Sequence, residues 1–377
     1  MTHHPRRVVV VGAGLAGVET CRALRDQGYA GGITLFGDED VPPYDRPPLS
    51  KEVLLGALDD TTLPFDFAAH EVEVRLGERI DSLDAPDADA VVLAVGSQPI
   101  ALPGARTLRT AGDALALRAL MTPAARVIVV GAGWIGAEVA TAAGKHGCQV
   151  EVFEALSAPL AAGLPEEIGR LTVPWFEEAG IALHLGVRVG AVERLDADLV
   201  VAGVGVRPDT RWLEGVLELD ESGGVVVDER LRTSRPGVWA VGDCAAWWSP
   251  RYQRRLRVEH WDIALRAPSV VAASVLGIAD APAHDPVPYV WSDQFGRRLA
   301  YAGRHEEAVS MVFRGDPSSD PAWSVLWLSG DDALAAVFTV GRPHDLGQGR
   351  RLIERGSVLD VGRIPDPDVQ LRDCVAR

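Results

Sequence analysis

Val8-Val9-Val10-Val11-Gly12-Ala13-Gly14-Leu15-Ala16-Gly17 decides the fold. A run of β-branched residues suits a strand buried on both faces, and it stops at a glycine turn that leads into the helical stretch Val18 to Gln27. The three glycines have separate tasks. Gly12 permits a tight turn, Gly14 lets a pyrophosphate approach the backbone, and Gly17 lets helix and strand pack closely. The helix start at Leu15 and Ala16 presents unpaired N–H donors to the anion. One such motif is weak evidence. Its repetition is stronger: Val127-Ile128-Val129-Val130-Gly131-Ala132-Gly133-Trp134-Ile135-Gly136 again follows a strand pattern and precedes the alanine-rich helical stretch Ala137 to Lys145. The chain is therefore expected to bind two dinucleotides.

The chain has 377 residues, enough for two or three domains with their own cores. Hydrophobic content of 47% and charge of 24% are those of a soluble globular protein. A net charge of −16 argues against a nucleic-acid surface while leaving room for a local basic patch. No apolar run approaches the roughly 20 residues of a membrane span, and Met1 to Arg7 lacks the apolar core of a signal peptide, so a cytoplasmic protein is expected. Cys21, Cys148, Cys244 and Cys374 are too far apart for a disulfide framework, a metal site or a Cys-x-x-Cys pair. Electron relay through protein thiols and a bound metal are both unexpected.

A second strand, Gly32 to Phe36, ends at Gly37, where a dinucleotide site wants an acid for the ribose; Asp38 or Glu39 has to take that place. Four prolines between Val41 and Lys51 make a stiff loop that holds Arg46 and Lys51, and Ser50 is expected to cap a helix that Lys51 begins. Residues Glu71 to Leu83 suggest strands. Ala90 to Val95 is a buried strand ending at Gly96, and a helix over Ala111 to Met121 leads into the second glycine turn. There the strand Gln149 to Phe153 ends directly in Glu154, which suits a ribose 2′-hydroxyl and repels a 2′-phosphate; NADH is favoured over NADPH. Short strands are expected over Ile181 to Leu199, and Asp198 to Pro208 repeats the strand-to-glycine exit of Val91 to Pro99. Val238 to Val241 is another buried strand ending in Gly242-Asp243, read as the start of a helix with a carboxylate for a ribityl hydroxyl. Arg251 to Arg257 is the densest basic run. From Asp285 a smaller α+β domain is expected, with Trp291, Trp323 and Trp327 in its core.

The loop Pro43-Tyr44-Asp45-Arg46-Pro47-Pro48-Leu49-Ser50-Lys51, the run Val241 to Ala245, Glu259-His260-Trp261 and Trp291-Ser292-Asp293-Gln294, together with both glycine motifs, closely resemble the ferredoxin/rubredoxin reductase family of FAD flavoproteins. The resemblance implies an α/β fold: two Rossmann-like domains, for FAD (1–110 and 236–284, discontinuous) and NAD (111–235), plus a C-terminal α+β domain (285–377). It implies that Gly12, Gly14 and Gly17 hold the FAD pyrophosphate, that Arg46, Lys51, Ile80, Arg109, Asp243 and Trp261 line FAD, and that Trp291 lies near the isoalloxazine. Gly131, Gly133, Ile135, Gly136, Glu138, Glu154 and Gly205 would form the NADH site, with Glu138 beside the nicotinamide. Departures are Ala94-Val95-Gly96 for Ala-Thr-Gly, Asp262-Ile263 for Asp-Asn, and curtailed hairpins at Asp84 to Asp89 and Arg194 to Ala197.

The implied activity passes electrons from NADH through FAD to an acidic ferredoxin or a rubredoxin that feeds an oxygenase or cytochrome P450, in a monomer or homodimer. Small ferredoxins are acidic, so Arg251, Arg254, Arg255 and Arg257 are the candidate docking residues, with Arg297 and Arg298 next. A disulfide reductase or NADH oxidase would need a cysteine where Tyr44-Asp45-Arg46 stands. A non-catalytic sensor of NADH could keep every glycine.

Overall fold

The computed structural model describes residues 5–84, 87–190, 192 and 195–376 and divides them into two compact units. The first contains the chain up to Pro48, Leu58–Pro99 and Val206–Asp285. The second contains Leu49–Ala57, Ile100–Gly205 and the chain from Pro286 onward.

In the first unit five parallel strands lie in the order Val238–Ala240, Ala90–Leu93, Arg7–Val11, Gly32–Phe36, Val72–Arg75. Val10, Leu35, Val92 and Leu93 are wholly buried there, which is what runs of apolar residues without alternation require of a sheet covered on both faces. Each such side chain contributes about 1.5–3 kcal/mol. Helix Leu15–Asp26 packs against helix Trp261–Val275. A second sheet joins Val225–Val227, Ala245–Ser249 and Arg254–Leu256.

Three local expectations are corrected. Gly242–Cys244 is a single 3-10 turn that passes at once into strand Ala245–Ser249, so Asp243 starts no α-helix; pairing with the strands on either side outweighs the helical preference of the alanines. Ser50 ends a 3-10 helix over Pro47–Ser50, and turns follow in place of a helix. Glu71 to Leu83 forms only the strand Val72–Arg75, and the described residues of Ile181 to Leu199 form only Ala182–Leu185 before the strand Leu199–Ala202 begins. Of the curtailed segments, Ala85, Pro86 and Arg194 lie outside the described residues, and the described residues between Arg75 and Ala90 form no strand.

The first unit also buries His284, 4% exposed, with its ring edge-on to Trp247 at 4.7 Å and its Nε2 without a hydrogen-bond partner. Burial pushes its pKa down to about 4. The unfolded chain titrates near 6.5, so between those values the unfolded state binds the extra proton and stability drops by about 1.4 kcal/mol for each unit by which the pH is lowered. Urea unfolding at pH 7 and pH 5 checks this. His284→Phe should lose about 2 kcal/mol less than the parent over that interval; an equal loss in both would contradict the assignment.

The second unit has a parallel sheet ordered Ala182–Leu185, Gln149–Glu154, Arg126–Val130, Leu199–Ala202, with helix Trp134–Lys145 after the second glycine turn. Its C-terminal part is a five-stranded antiparallel sheet, ordered Tyr289–Gln294, Arg297–Gly303, Leu334–Val340, Trp323–Leu328, Ser310–Arg314, against helix Pro343–Glu354. Trp323 and Trp327 are core residues, whereas Trp291 is only half-buried. Arg314 is fully buried and donates to the carbonyls of Ile364 at 2.6 Å and Val369 at 2.7 Å, pinning the chain end beside Asp345.

Candidate functional site

In the first unit, Gly12 has φ +110°, and a Cβ there would stand 2.2 Å from the Ala94 carbonyl oxygen. A Cβ on Gly17 would stand 1.9 Å from the Gly12 oxygen. The fold itself demands both glycines. Gly14 differs: its φ is −80°, and its Cβ would meet only the flexible end of Arg46, at 3.2 Å. What needs that space lies outside the polypeptide.

The space opens into a cleft between the glycine turn, Gly37 to Glu39 and the proline loop. Glu39 turns inward, accepting from the Tyr44 hydroxyl at 2.7 Å and from Arg46 Nη2 at 2.9 Å. Asp38 pairs with Arg79 at 3.2 Å and stays half-exposed. Burial disfavours the Arg46 guanidinium, but Tyr44 and Glu39 outweigh it and raise its pKa. Its Nε is buried without a partner. Trp261 Nε1 donates to Asp45 at 2.9 Å, Ile80 packs on the core of this unit, and Asp243 is half-buried, its carbonyl accepting from Arg257 at 3.3 Å.

The second unit repeats the geometry. Gly131 has φ +104° with a Cβ position 2.5 Å from the Gly203 oxygen, and a Cβ on Gly136 would lie 2.0 Å from the Gly131 oxygen. Around a Cβ on Gly133 there is nothing within 4 Å. Glu154 is buried beside the turn and accepts from the backbone N–H of Ala132 at 2.7 Å and of Leu156 at 2.8 Å. Ile135, Leu156 and Val204 remain exposed, and Gly205 has φ +105°. Arg109 is half-buried, its backbone N–H held by Asp113 at 3.0 Å. Trp291 stacks on Tyr289, with the Arg298 guanidinium 5.6 Å from its centroid.

Glu138 is 2% exposed and accepts on both oxygens: from Lys51 Nζ at 3.0 Å and the Ser50 hydroxyl on Oε2, and from the Ser292 hydroxyl at 2.6 Å and the Asp293 N–H at 3.1 Å on Oε1. The sequence reading gave Ser50 a capping role and placed Ser292 in a motif, but it held no signal for their bonds to Glu138, which join residues 88 and 154 positions apart.

The basic run is not uniform. Arg251 and Arg254 are exposed. Arg255 instead donates to the Ala246 carbonyl at 3.1 Å, while Arg257 donates to Ser222 at 2.8 Å and pairs with Glu259. Arg297 pairs with Glu178 at 2.6 Å and Arg298 with Asp293 at 2.7 Å. Trp248, opposite Arg255 in the sheet, is 47% exposed. Burial pushes the Cys21 thiol up to about 12 and that of Cys244 to about 11, so neither is a nucleophile at neutral pH. Among the described residues no group of three or more His, Cys, Asp or Glu could hold a metal, and no helix is long and apolar enough to cross a membrane.

Two glycine turns, each with a middle glycine that the polypeptide does not require, have the geometry of two dinucleotide sites. The chain belongs to the pyridine nucleotide-disulphide oxidoreductase family, whose model matches residues 6–267, and a reductase C-terminal model matches residues 289–375. It is 34% identical to the ferredoxin–NAD(+) reductase component of the anthranilate 1,2-dioxygenase system of Burkholderia cepacia, covering 97% of this chain and 98% of that one. It is 33% identical to putidaredoxin reductase of Pseudomonas putida, covering 98% and 96%. Among solved structures, Fdr9 is similar at 43% identity with TM-score 0.91, covering 97% and 99% of the two chains. The covalent putidaredoxin reductase–putidaredoxin complex is similar at 31% identity, with TM-score 0.91 and 98% of each chain covered.

Proposed function

We propose that this protein is an NADH-dependent ferredoxin reductase that passes electrons through FAD to an acidic ferredoxin serving an oxygenase or cytochrome P450 in the cytoplasm. The observation that carries the reading is the pair Gly14 and Gly133, small where the protein leaves room and unstrained in φ. FAD, when bound, would supply the conversion between two-electron donation by NADH and one-electron uptake by an iron–sulfur acceptor. Gly12, Gly14, Gly17 and Arg46 hold the FAD pyrophosphate, with the unused Arg46 Nε as an added donor. Glu39, already oriented by Tyr44 and Arg46, takes the ribose in preference to Asp38, and Trp261, Asp243 and Ile80 complete the FAD contacts. Lys51, Arg109 and Trp291 keep the flavin roles that the resemblance implies. Gly131, Gly133, Gly136, Ile135, Glu154 and Gly205 hold NADH. Glu138, read as the acid beside the nicotinamide, accepts from four donors and positions Lys51. The domain limits we propose are FAD 1–110 and 236–284, NAD 111–235, and a C-terminal domain 285–377, whereas the compact units divide at Pro99/Ile100 and Gly205/Val206.

The coenzyme preference rests on Glu154. Its buried carboxylate opposes a 2′-phosphate, and no Lys or Arg occurs between it and Arg170, which pairs with Glu166. kcat/KM for NADH should exceed that for NADPH by at least about tenfold, roughly 1.4 kcal/mol. Rapid-mixing measurement of flavin bleaching by each coenzyme checks it, and equal rates would refute the assignment. Ferredoxin docking centres on Arg251 and Arg254, with Trp248 as an apolar anchor, because Arg255 and Arg257 are spent inside the unit.

A further inference from the structure

Glu138 joins three stretches of the second unit that are far apart in sequence: the Ser50-Lys51 turn, its own helix and strand Tyr289–Gln294. Ser292 and Gln294 on that strand are 0% and 1% exposed. Gln294 Nε2 donates to the Ser292 oxygen at 2.9 Å. A hydroxyl has one proton, and with its oxygen accepting from Gln294 that proton goes to Glu138 Oε1 at 2.6 Å, the other acceptor, the Trp134 carbonyl, being at 3.5 Å. The reverse amide orientation is excluded by the same count. The Gln294 carbonyl would claim the Ser292 proton and leave two oxygens facing each other at 2.6 Å in a site without water access. A second tie, from the Phe295 N–H to Thr141 Oγ1 at 3.0 Å, fixes the same helix one turn on.

We propose that Ser292 and Gln294 are positioning residues: through Glu138 they set the place of the Lys51 ammonium, so that the C-terminal sheet tunes the flavin. This rests on the reading that Lys51 faces the flavin. The relay fixes one oxygen of Glu138 from the C-terminal strand, and the other oxygen then presents a single geometry to Lys51. Loss of the Ser292 donor leaves Oε1 with the Asp293 N–H alone and lets the carboxylate rotate, carrying Lys51 with it.

The test is the midpoint potential of the bound flavin, titrated in the FAD-loaded protein for four variants. A cation held near the flavin favours the form carrying the added electrons, so Lys51→Gln should lower the potential. Ser292→Ala should lower it in the same direction by less, and Gln294→Leu by less again. Flavin reduction by NADH should slow roughly 5- to 10-fold in Ser292→Ala, the loss of one charge-assisted hydrogen bond. Ser324→Ala removes an equally buried serine that donates to Asp345 at 2.8 Å in the same sheet, and it should leave the potential at the parent value. If Lys51→Gln lowers the potential while Ser292→Ala and Gln294→Leu do not, the relay is overturned and Lys51 keeps its role. If Ser324→Ala lowers it as much as Ser292→Ala, the effect is a general loosening of the sheet and the proposal fails. A parent-like potential in Lys51→Gln overturns the flavin role of Lys51, and the relay with it.

Discussion

Gly133→Val should raise KM for NADH by about a hundredfold or more, close to 2.7 kcal/mol of binding, while FAD content and thermal midpoint stay at parent values. The separation follows from the geometry. Gly133 has φ −75° and ψ −170°, an extended backbone that valine adopts readily, and no protein atom lies within 4 Å of the Cβ position. The polypeptide therefore leaves room for a Cβ, and what the added side chain meets is a pyrophosphate on the helix start. Gly136→Ala is the contrasting case, because its Cβ would sit 2.0 Å from a backbone oxygen and the turn itself would have to open. Ultrafiltration for flavin, a melting curve and NADH titration distinguish the two. If Gly133→Val binds NADH like the parent, the second glycine turn is not a coenzyme site.

Reversal of charge at Arg251 and Arg254 should raise KM for an acidic ferredoxin about tenfold or more at low salt and leave NADH-to-ferricyanide turnover unchanged. Both side chains are exposed on a chain of net charge −16, which otherwise repels an acidic partner. Arg255 and Arg257 are poor choices for this experiment, since their guanidinium groups bond Ala246, Ser222 and Glu259 and their reversal would damage the sheet. In the parent, ferredoxin-dependent turnover should fall as salt rises, and in Arg251→Glu/Arg254→Glu that slope should flatten. An unchanged KM would place the docking surface elsewhere.

Why one glance at the sequence yields the sheets but not the site is a matter of range. Strands such as Val8 to Val11 and Val127 to Val130, and the turns after them, are written in adjacent residues: β-branched runs fix the strand, and Gly12 and Gly131 are the positive-φ positions that end it. The resemblance adds Arg46 and Trp261, which the structure places in the same unit. The Glu138 cluster depends on donors at positions 50, 51, 292 and 293, and no local pattern joins them. Asp243 shows the opposite failure: its local pattern favours a helix start, and strand pairing at Ala245–Ser249 wins. Likewise a run of arginines looks uniform in sequence, while carbonyl acceptors on a neighbouring strand and in the turn at Asp243 decide which of them stay outside.

The claim that this is a ferredoxin reductase, and not an NADH sensor that keeps the glycines, meets its most direct test in one assay. The FAD-loaded protein is mixed with NADH and a panel of small acidic ferredoxins under anaerobic conditions, and bleaching of the iron–sulfur absorbance is followed. Multiple-turnover reduction of at least one ferredoxin is expected at about 1–1000 per second, the ordinary range for enzymes, with NADH well ahead of NADPH. Flavin that bleaches with NADH and then passes no electrons to any of them would contradict it.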